Sequence, residues 1–194
     1  SGMDALSQAI EAYWNVNSNT ESDKLALKAV ELLWNNLPEI YNNKDNIKDV
    51  MLGSNLAGKA INITKTTAPH AVSYPFTTFF NIPHGHSVSL TLNYFLNYNY
   101  NLNEKDCNDK RGAKYVKNKI EYLAKSLNFD DVKSFSLALS KLLKNLNLNI
   151  NLNKLNISNK ELIDYVIPNI NYERVKNNPR KLNKENLIKF FNQN

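Results

Sequence analysis

Glycine is scarce in this 194-residue chain, with five in all: Gly2, Gly53, Gly58, Gly85 and Gly112. None of them forms a G-x-G-x-x-G turn or a P-loop, whose backbone amides cradle a phosphate, so the chain carries no evident dinucleotide site. A single cysteine, Cys107, excludes an internal disulfide and fits a reducing cytoplasm. It lies in the polar run NEKDCNDKRG and reads as an exposed thiol. No apolar run approaches the roughly 20 residues of a membrane helix, and the start, SGMDALSQAIEAYW, lacks the basic-then-apolar order of a signal peptide. The net charge is +6, but basic residues are spread rather than striped. That argues against a nucleic-acid face and for solubility or an acidic ligand. Histidine is rare too: His70, His84 and His86 are all of it, and they fall between Thr64 and Val88.

What is present is helical periodicity. Near the start, Asp4, Gln8 and Glu11 share one helix face, with Ala5, Leu6, Ala9, Ile10 and Tyr13 on the apolar side. This helix begins within three residues of the N-terminus, and the expectation is that something normally precedes it. Ser18-Asn-Thr-Glu21 has the form of a capping box before a second helix that should stop at Pro38. The turn YNNKDN leads to a third helix from Asn46 to about Ala60, where Gly53, Gly58 and Ala60 would let another backbone approach. Further helices are expected over about residues 86–97, 109–126, 131–146, 158–167 and 184–192, with NYNYN as a loop. The alternating LNLNINLNKLN reads as a loop, because asparagine is a poor strand former and no partner strand is apparent. The expected fold class is all-α, a multi-helix domain of eight or so helices without repeats.

The segment TKTTAPHAVSYPFTTFFNIPHGHSV is cut by Pro69, Pro75 and Pro83 and should form short pieces. Gathered histidines suit a metal site, since neutral imidazole is the commonest metal ligand. The competing reading has His70 as a satisfied core residue and His84 and His86 at a helix start.

Three motifs in order, DALSQAIEAYW, GKAINITKTTAPHAVSYPFTTFFNIPHGHSV and NNPRKL, resemble the iron-containing (group III) alcohol dehydrogenases. The resemblance runs from end to end over that family's C-terminal helical domain, and most resembles the branch containing phosphonoacetaldehyde reductases. It implies that residues 1–194 are a single helical metal-binding domain and that an N-terminal Rossmann-like NAD(P)-binding domain is absent from this chain. It implies Asp4, His70 and His84 as ligands of Fe²⁺ or Zn²⁺, with Gln8 standing where the family has a fourth ligand, histidine. Tyr74 stands where the family has the second histidine of H-x-x-x-H-P, and Tyr74 or His86 would relay a proton. The implied substrate is a small aldehyde or alcohol, and an acidic aldehyde such as phosphonoacetaldehyde would be gripped by Lys65 and Arg174, while Arg180 reads as a solvated cation.

A dehydroquinate synthase-like activity is disfavoured by the PHG motif and the TKTTAPHA context. The isolated chain is expected to have little dehydrogenase activity, because the cofactor would come from the missing domain. The patch that domain would cover predicts self-association, and so a homo-oligomer. The alternative function is a non-catalytic helical domain with a degenerate metal site, kept for assembly or partner binding. Neither reading involves nucleic acid or membrane.

Overall fold

The computed structural model describes residues 2–40, 43 and 45–191, with Phe190 described by its backbone alone. Seven helices come first: α1 (Gly2–Trp14), α2 (Thr20–Asn36), α3 (Asn46–Thr64), α4 (Ala68–Phe80), α5 (His84–Tyr100), α6 (Ala113–Ser126) and α7 (Val132–Asn145). Of the 13 residues of α1, all but Gly2, Asp4 and Gln8 are buried. A helix buried on nearly every side belongs inside a bundle, and α1 packs against α2, α3, α5 and α6. Leu6, Ile10, Trp14, Leu33, Phe76 and Phe95 are fully buried around it. Burying each such side chain stabilises the fold by about 1.5–3 kcal/mol. Gly53 lets α3 lie against α2, since a Cβ there would come 2.8 Å from Leu33 Cγ. Gly58 has no such role, because a Cβ on it would meet nothing within 4 Å.

The chain then shortens its elements. A 3₁₀ turn covers Asn153–Leu155, and α8 (Asn159–Glu161) opens on the expected Ser158/Glu161 capping box. It runs on through a π turn, Leu162–Val166, and a 3₁₀ turn, Ile167–Asn169. The four-residue α9 (Tyr172–Val175), not expected from the sequence, and α10 (Lys184–Phe191) complete the described residues. Tyr41, Asn42 and Lys44 of the YNNKDN turn and Asn192, the expected last helical residue, lie outside them. Among the described residues there is no strand, and LNLNINLNKLN is irregular apart from its 3₁₀ turn.

Several expectations are corrected by tertiary contacts invisible to local pattern. NYNYN is helical to Tyr100, because its polar groups have tertiary partners: Asn97 donates to Ser136 Oγ at 2.8 Å, and Asn99 and Asn178 exchange amide hydrogen bonds at 2.8 and 3.1 Å. The cap of α2 is Asn19, with Ser22 completing the box. Ser18 is drawn inward instead, where its hydroxyl accepts from Lys119 at 2.8 Å and Arg111 at 3.2 Å. Arg180 is no solvated cation. It pairs with Asp106 at 2.8 Å, donates to the Tyr98 carbonyl at 2.9 Å and lies 4.2 Å over the Tyr98 ring. Cys107 is half-buried against the core, beside that same Arg180 bridge, rather than an exposed thiol.

Ala68–Phe80 of the proline-cut stretch form one 13-residue helix, α4, rather than short pieces, and Pro83 precedes α5. Pro69 sits in its first turn, where an N–H would have no helical partner anyway. Pro75 is inside the helix and has no N–H to give to the Ala71 carbonyl four residues back. That carbonyl accepts the Asn171 N–H instead, at 3.3 Å. The Asn171 side chain in turn caps α9 by accepting from the Arg174 N–H at 3.2 Å. A helix defect in α4 is thus where α9, and with it Arg174, is attached.

Candidate metal centre

Three helix starts converge. Asp4 lies in the first turn of α1, His70 in the first turn of α4, and His84 opens α5 directly after Pro83. Asn81, in the left-handed conformation at φ 52°, ends α4 and turns the chain back so that α5 pairs with it. Asp4 Oδ1 lies 3.0 Å from His70 Nε2 and 3.5 Å from His84 Nε2, and the donor atoms of the three residues all lie within 4.8 Å of one another. Four bonds of about 2.0–2.1 Å in a tetrahedron place ligand atoms about 3.3 Å apart, so these separations suit a divalent ion.

The cluster is graded from dry to wet. His70 is 2% exposed, whereas the His84 side chain is 36% exposed. Burial would raise the Asp4 carboxyl, but the hydrogen bond from His70 and the fields of His70 and His84 hold it below its ordinary range. Burial would lower His70, but Glu11 and Asp4 together push it up to about 9. Burial lowers His84, against the pull of Asp4. A cation and a proton therefore compete for the same Nε2 lone pair of His70.

Beside the donors lies a cavity of about 390 Å³, bordered by Met3, Leu37, His84, His86 and Leu148 among others. That volume suits a small molecule or part of a cofactor. Tyr74 stacks on the His84 ring, with centroids 5.6 Å apart and planes 21° apart. Arg174 lies over the other member of that stack, its guanidinium 5.3 Å from the Tyr74 centroid, and donates to Thr66 Oγ1. Burial raises the Tyr74 hydroxyl pKa against the opposing field of Arg174.

Asp4, His70, His84, Tyr74 and Arg174 are therefore brought together. Gln8 is adjacent, its amide donating to Asp4 Oδ2 at 3.2 Å. His86 borders the cavity, but its Nε2 is held by the Asn149 carbonyl at 2.6 Å. A carbonyl only accepts, so that nitrogen carries the proton. Lys65 is exposed, its amine 3.5 Å from the Asn62 carbonyl at the end of α3, outside the cluster. Sequence reasoning put Glu11 on the Asp4–Gln8 face without giving it a role. In the structure it contacts His70 Nδ1 and is fully buried.

The pattern described as the Fe-containing alcohol dehydrogenase family, C-terminal, matches residues 1–194. The chain belongs to this family. Phosphonoacetaldehyde reductase from Streptomyces viridochromogenes is 28% identical over 188 residues, which are 95% of this chain and 46% of that protein. 4-Hydroxybutyrate dehydrogenase from Clostridium kluyveri is 32% identical over 151 residues, 75% of this chain and 38% of that protein. The crystal structure of sulfoacetaldehyde reductase from Bifidobacterium kashiwanohense in complex with NAD+ matches with a TM-score of 0.84 at 27% identity, covering 99% of this chain and 48% of that one. The chain thus spans less than half the length of these family relatives. Among the described residues no helix is long and apolar enough to cross a membrane.

Proposed function

We propose that this chain is the metal-holding half of an NAD(P)-dependent alcohol dehydrogenase acting as a reductase of small acidic aldehydes. Asp4, His70 and His84 would hold Fe²⁺ or Zn²⁺, one carboxylate and two imidazoles being a donor set suited to either. Such an ion supplies Lewis-acid polarisation of a carbonyl oxygen. The nicotinamide would come from an N-terminal Rossmann-like domain outside this chain, and its hydride would pass to the carbonyl carbon while a proton reaches the oxygen.

The observation that carries the substrate class is the run from Arg174 over Tyr74 to His84. It sets a guanidinium, the group best suited to fork onto phosphonate, sulfonate or carboxylate, two ring contacts from the donor cluster. The three relatives named above bear the names of compounds carrying one of these acidic groups. Tyr74, neutral and against His84, is the better placed proton donor. His86 spends its Nε2 proton on Asn149, and so serves to tie the start of α5 to the loop bearing Leu148. Lys65 would reach an anion only by leaving the end of α3.

Two measurements test this reading. Metal analysis of the purified protein should find one Fe²⁺ or Zn²⁺ per chain, lost in an Asp4→Ala, His84→Ala double variant; equal, negligible metal in both would favour the assembly-domain alternative. In the intact enzyme, kcat/KM should favour acidic aldehydes over neutral ones of the same size. Arg174→Ala should raise KM for the acidic aldehydes by roughly tenfold or more, the worth of a charge-assisted hydrogen bond, and far less for neutral ones. Equal kcat/KM for both aldehyde classes would rule out the proposed substrate.

A further inference from the structure

A fully buried carboxylate needs a reason. Glu11 is 0% exposed in the middle of α1, where a leucine would fill the space without the cost of desolvating a charge. Its Oε2 accepts the Thr67 backbone N–H at 2.7 Å and the Thr67 hydroxyl at 2.9 Å. The Trp14 indole N–H donates to that hydroxyl at 2.9 Å, so the hydroxyl's own proton is left to point at Glu11. Both Thr67 groups are therefore donors, and Oε2 is held as an acceptor. The other oxygen, Oε1, meets His70 Nδ1.

We propose that Glu11 is the positioning residue of the metal centre, holding the His70 proton on Nδ1 so that Nε2, on the Asp4 side, is the atom a cation would take. The proposal rests on the metal reading above. An ionised carboxylate cannot donate, so the ring nitrogen facing it must. By the same rule Nε2 donates to Asp4 Oδ1 at 3.0 Å in the metal-free ring; a bound cation would displace that proton and take Nε2 as its ligand, the Nδ1 proton staying with Glu11. A carboxylate behind an imidazole also makes it a stronger donor. This matters more here than in a site with four good ligands, because the next residue beside the trio, Gln8, offers only an amide. Trp14, Thr67, Glu11 and His70 form one hydrogen-bonded line, which crosses from α1 to the start of α4 and sets the ring's orientation before any ion arrives.

The discriminating variant is Glu11→Gln, close to the same volume. The Thr67 N–H still demands an acceptor, so the amide oxygen must go there and the NH₂ must face His70. The ring is then forced to accept at Nδ1 and carry its proton on Nε2, the wrong nitrogen for binding. Zinc affinity, read by competition with a chromophoric chelator, should fall roughly 10- to 100-fold. Long-range ¹⁵N–¹H NMR of His70 should show zinc on Nε2 and the proton on Nδ1 in the loaded wild type. In the metal-free variant, where the amide faces Nδ1, the proton should sit on Nε2.

Wild-type zinc affinity in a folded Glu11→Gln variant, or an unmoved proton, would overturn the proposal while leaving the metal reading intact. Should the variant fail to fold, the zinc-loaded wild-type spectrum alone decides, and zinc on Nδ1 overturns the proposal. Should the wild type bind no zinc, the metal reading falls and this proposal with it.

Discussion

Gln8 donates its side-chain amide to Asp4 Oδ2 at 3.2 Å, one helical turn further along α1. The contact occupies one carboxylate oxygen and leaves the other, Oδ1, to the two imidazoles at 3.0 and 3.5 Å. Gln8 thus orients a candidate ligand in this structure, from the position where the resemblance implies a ligand.

Replacing Gln8 by His should change which ion the site prefers. A fourth ligand that is an imidazole suits iron better than an amide oxygen does, so Fe²⁺ affinity should rise roughly tenfold or more, with a smaller gain for Zn²⁺. Parallel competition titrations with the two ions measure the ratio. An unchanged ratio would mean that position 8 does not reach the ion.

Lys119 is a structural cation far from the cluster. Its amine meets both oxygens of Asp23 at 2.7 and 2.8 Å and Ser18 Oγ at 2.8 Å, and lies 4.4 Å from the Tyr13 ring centroid. Lys119→Met keeps the apolar stem but leaves Asp23 and Ser18 without their partner. It should cost about 1–3 kcal/mol in urea unfolding. Adding Asp23→Asn should recover part of that loss, because the two residues share one interaction.

How much of this could be read beforehand depends on range. Six of the first seven helices, all but α4, follow from apolar spacing, which is local, whereas the prolines of α4 read as breaks, and the candidate trio is implied by resemblance rather than by spacing. What the sequence hid is set by partners far along the chain. The asparagines of NYNYN look like loop formers until Asn178 and Ser136 supply their hydrogen bonds. Arg180 looks like a surface cation until Asp106 and Tyr98 close around it. Glu11 shares a helix face with Asp4 and Gln8, a visible signal, but its meaning depends on His70, 59 residues away.

Tyr98 makes the alkaline limit of stability a local measurement. Its hydroxyl donates to the Lys181 carbonyl at 2.5 Å, and burial, only partly opposed by Arg180, moves its pKa from 10.0 up to about 12. The folded protein therefore holds this proton more tightly than the unfolded chain does. The resulting stability is fully present below pH 10.0 and is lost as pH rises toward about 12. Tyr98→Phe should lower the melting temperature at neutral pH by removing the hydrogen bond. It should also flatten this part of the alkaline decline, which thermal melts across that range would reveal.

Pro75→Ala should uncouple substrate preference from metal binding. The substitution restores an N–H that can return to the Ala71 carbonyl, the acceptor now holding Asn171 at 3.3 Å. Two donors then compete for one carbonyl, and the one further away in sequence is the weaker competitor, because its segment must be ordered to reach it. The start of α9 should loosen, and Arg174, placed through Asn171, should lose its register over Tyr74. The gain of a helical hydrogen bond in α4 offsets the lost docking contact, so the melting temperature should move little. Zinc affinity should be unchanged, since Asp4, His70 and His84 do not depend on α9. In the intact enzyme, KM for acidic aldehydes should rise several-fold, about the effect of one weakened charge-assisted contact. An unchanged KM, alongside a crystal structure of the variant showing the restored N–H bonded to the Ala71 carbonyl, would show that α9 is held without that carbonyl, and the link from Pro75 to Arg174 would be broken.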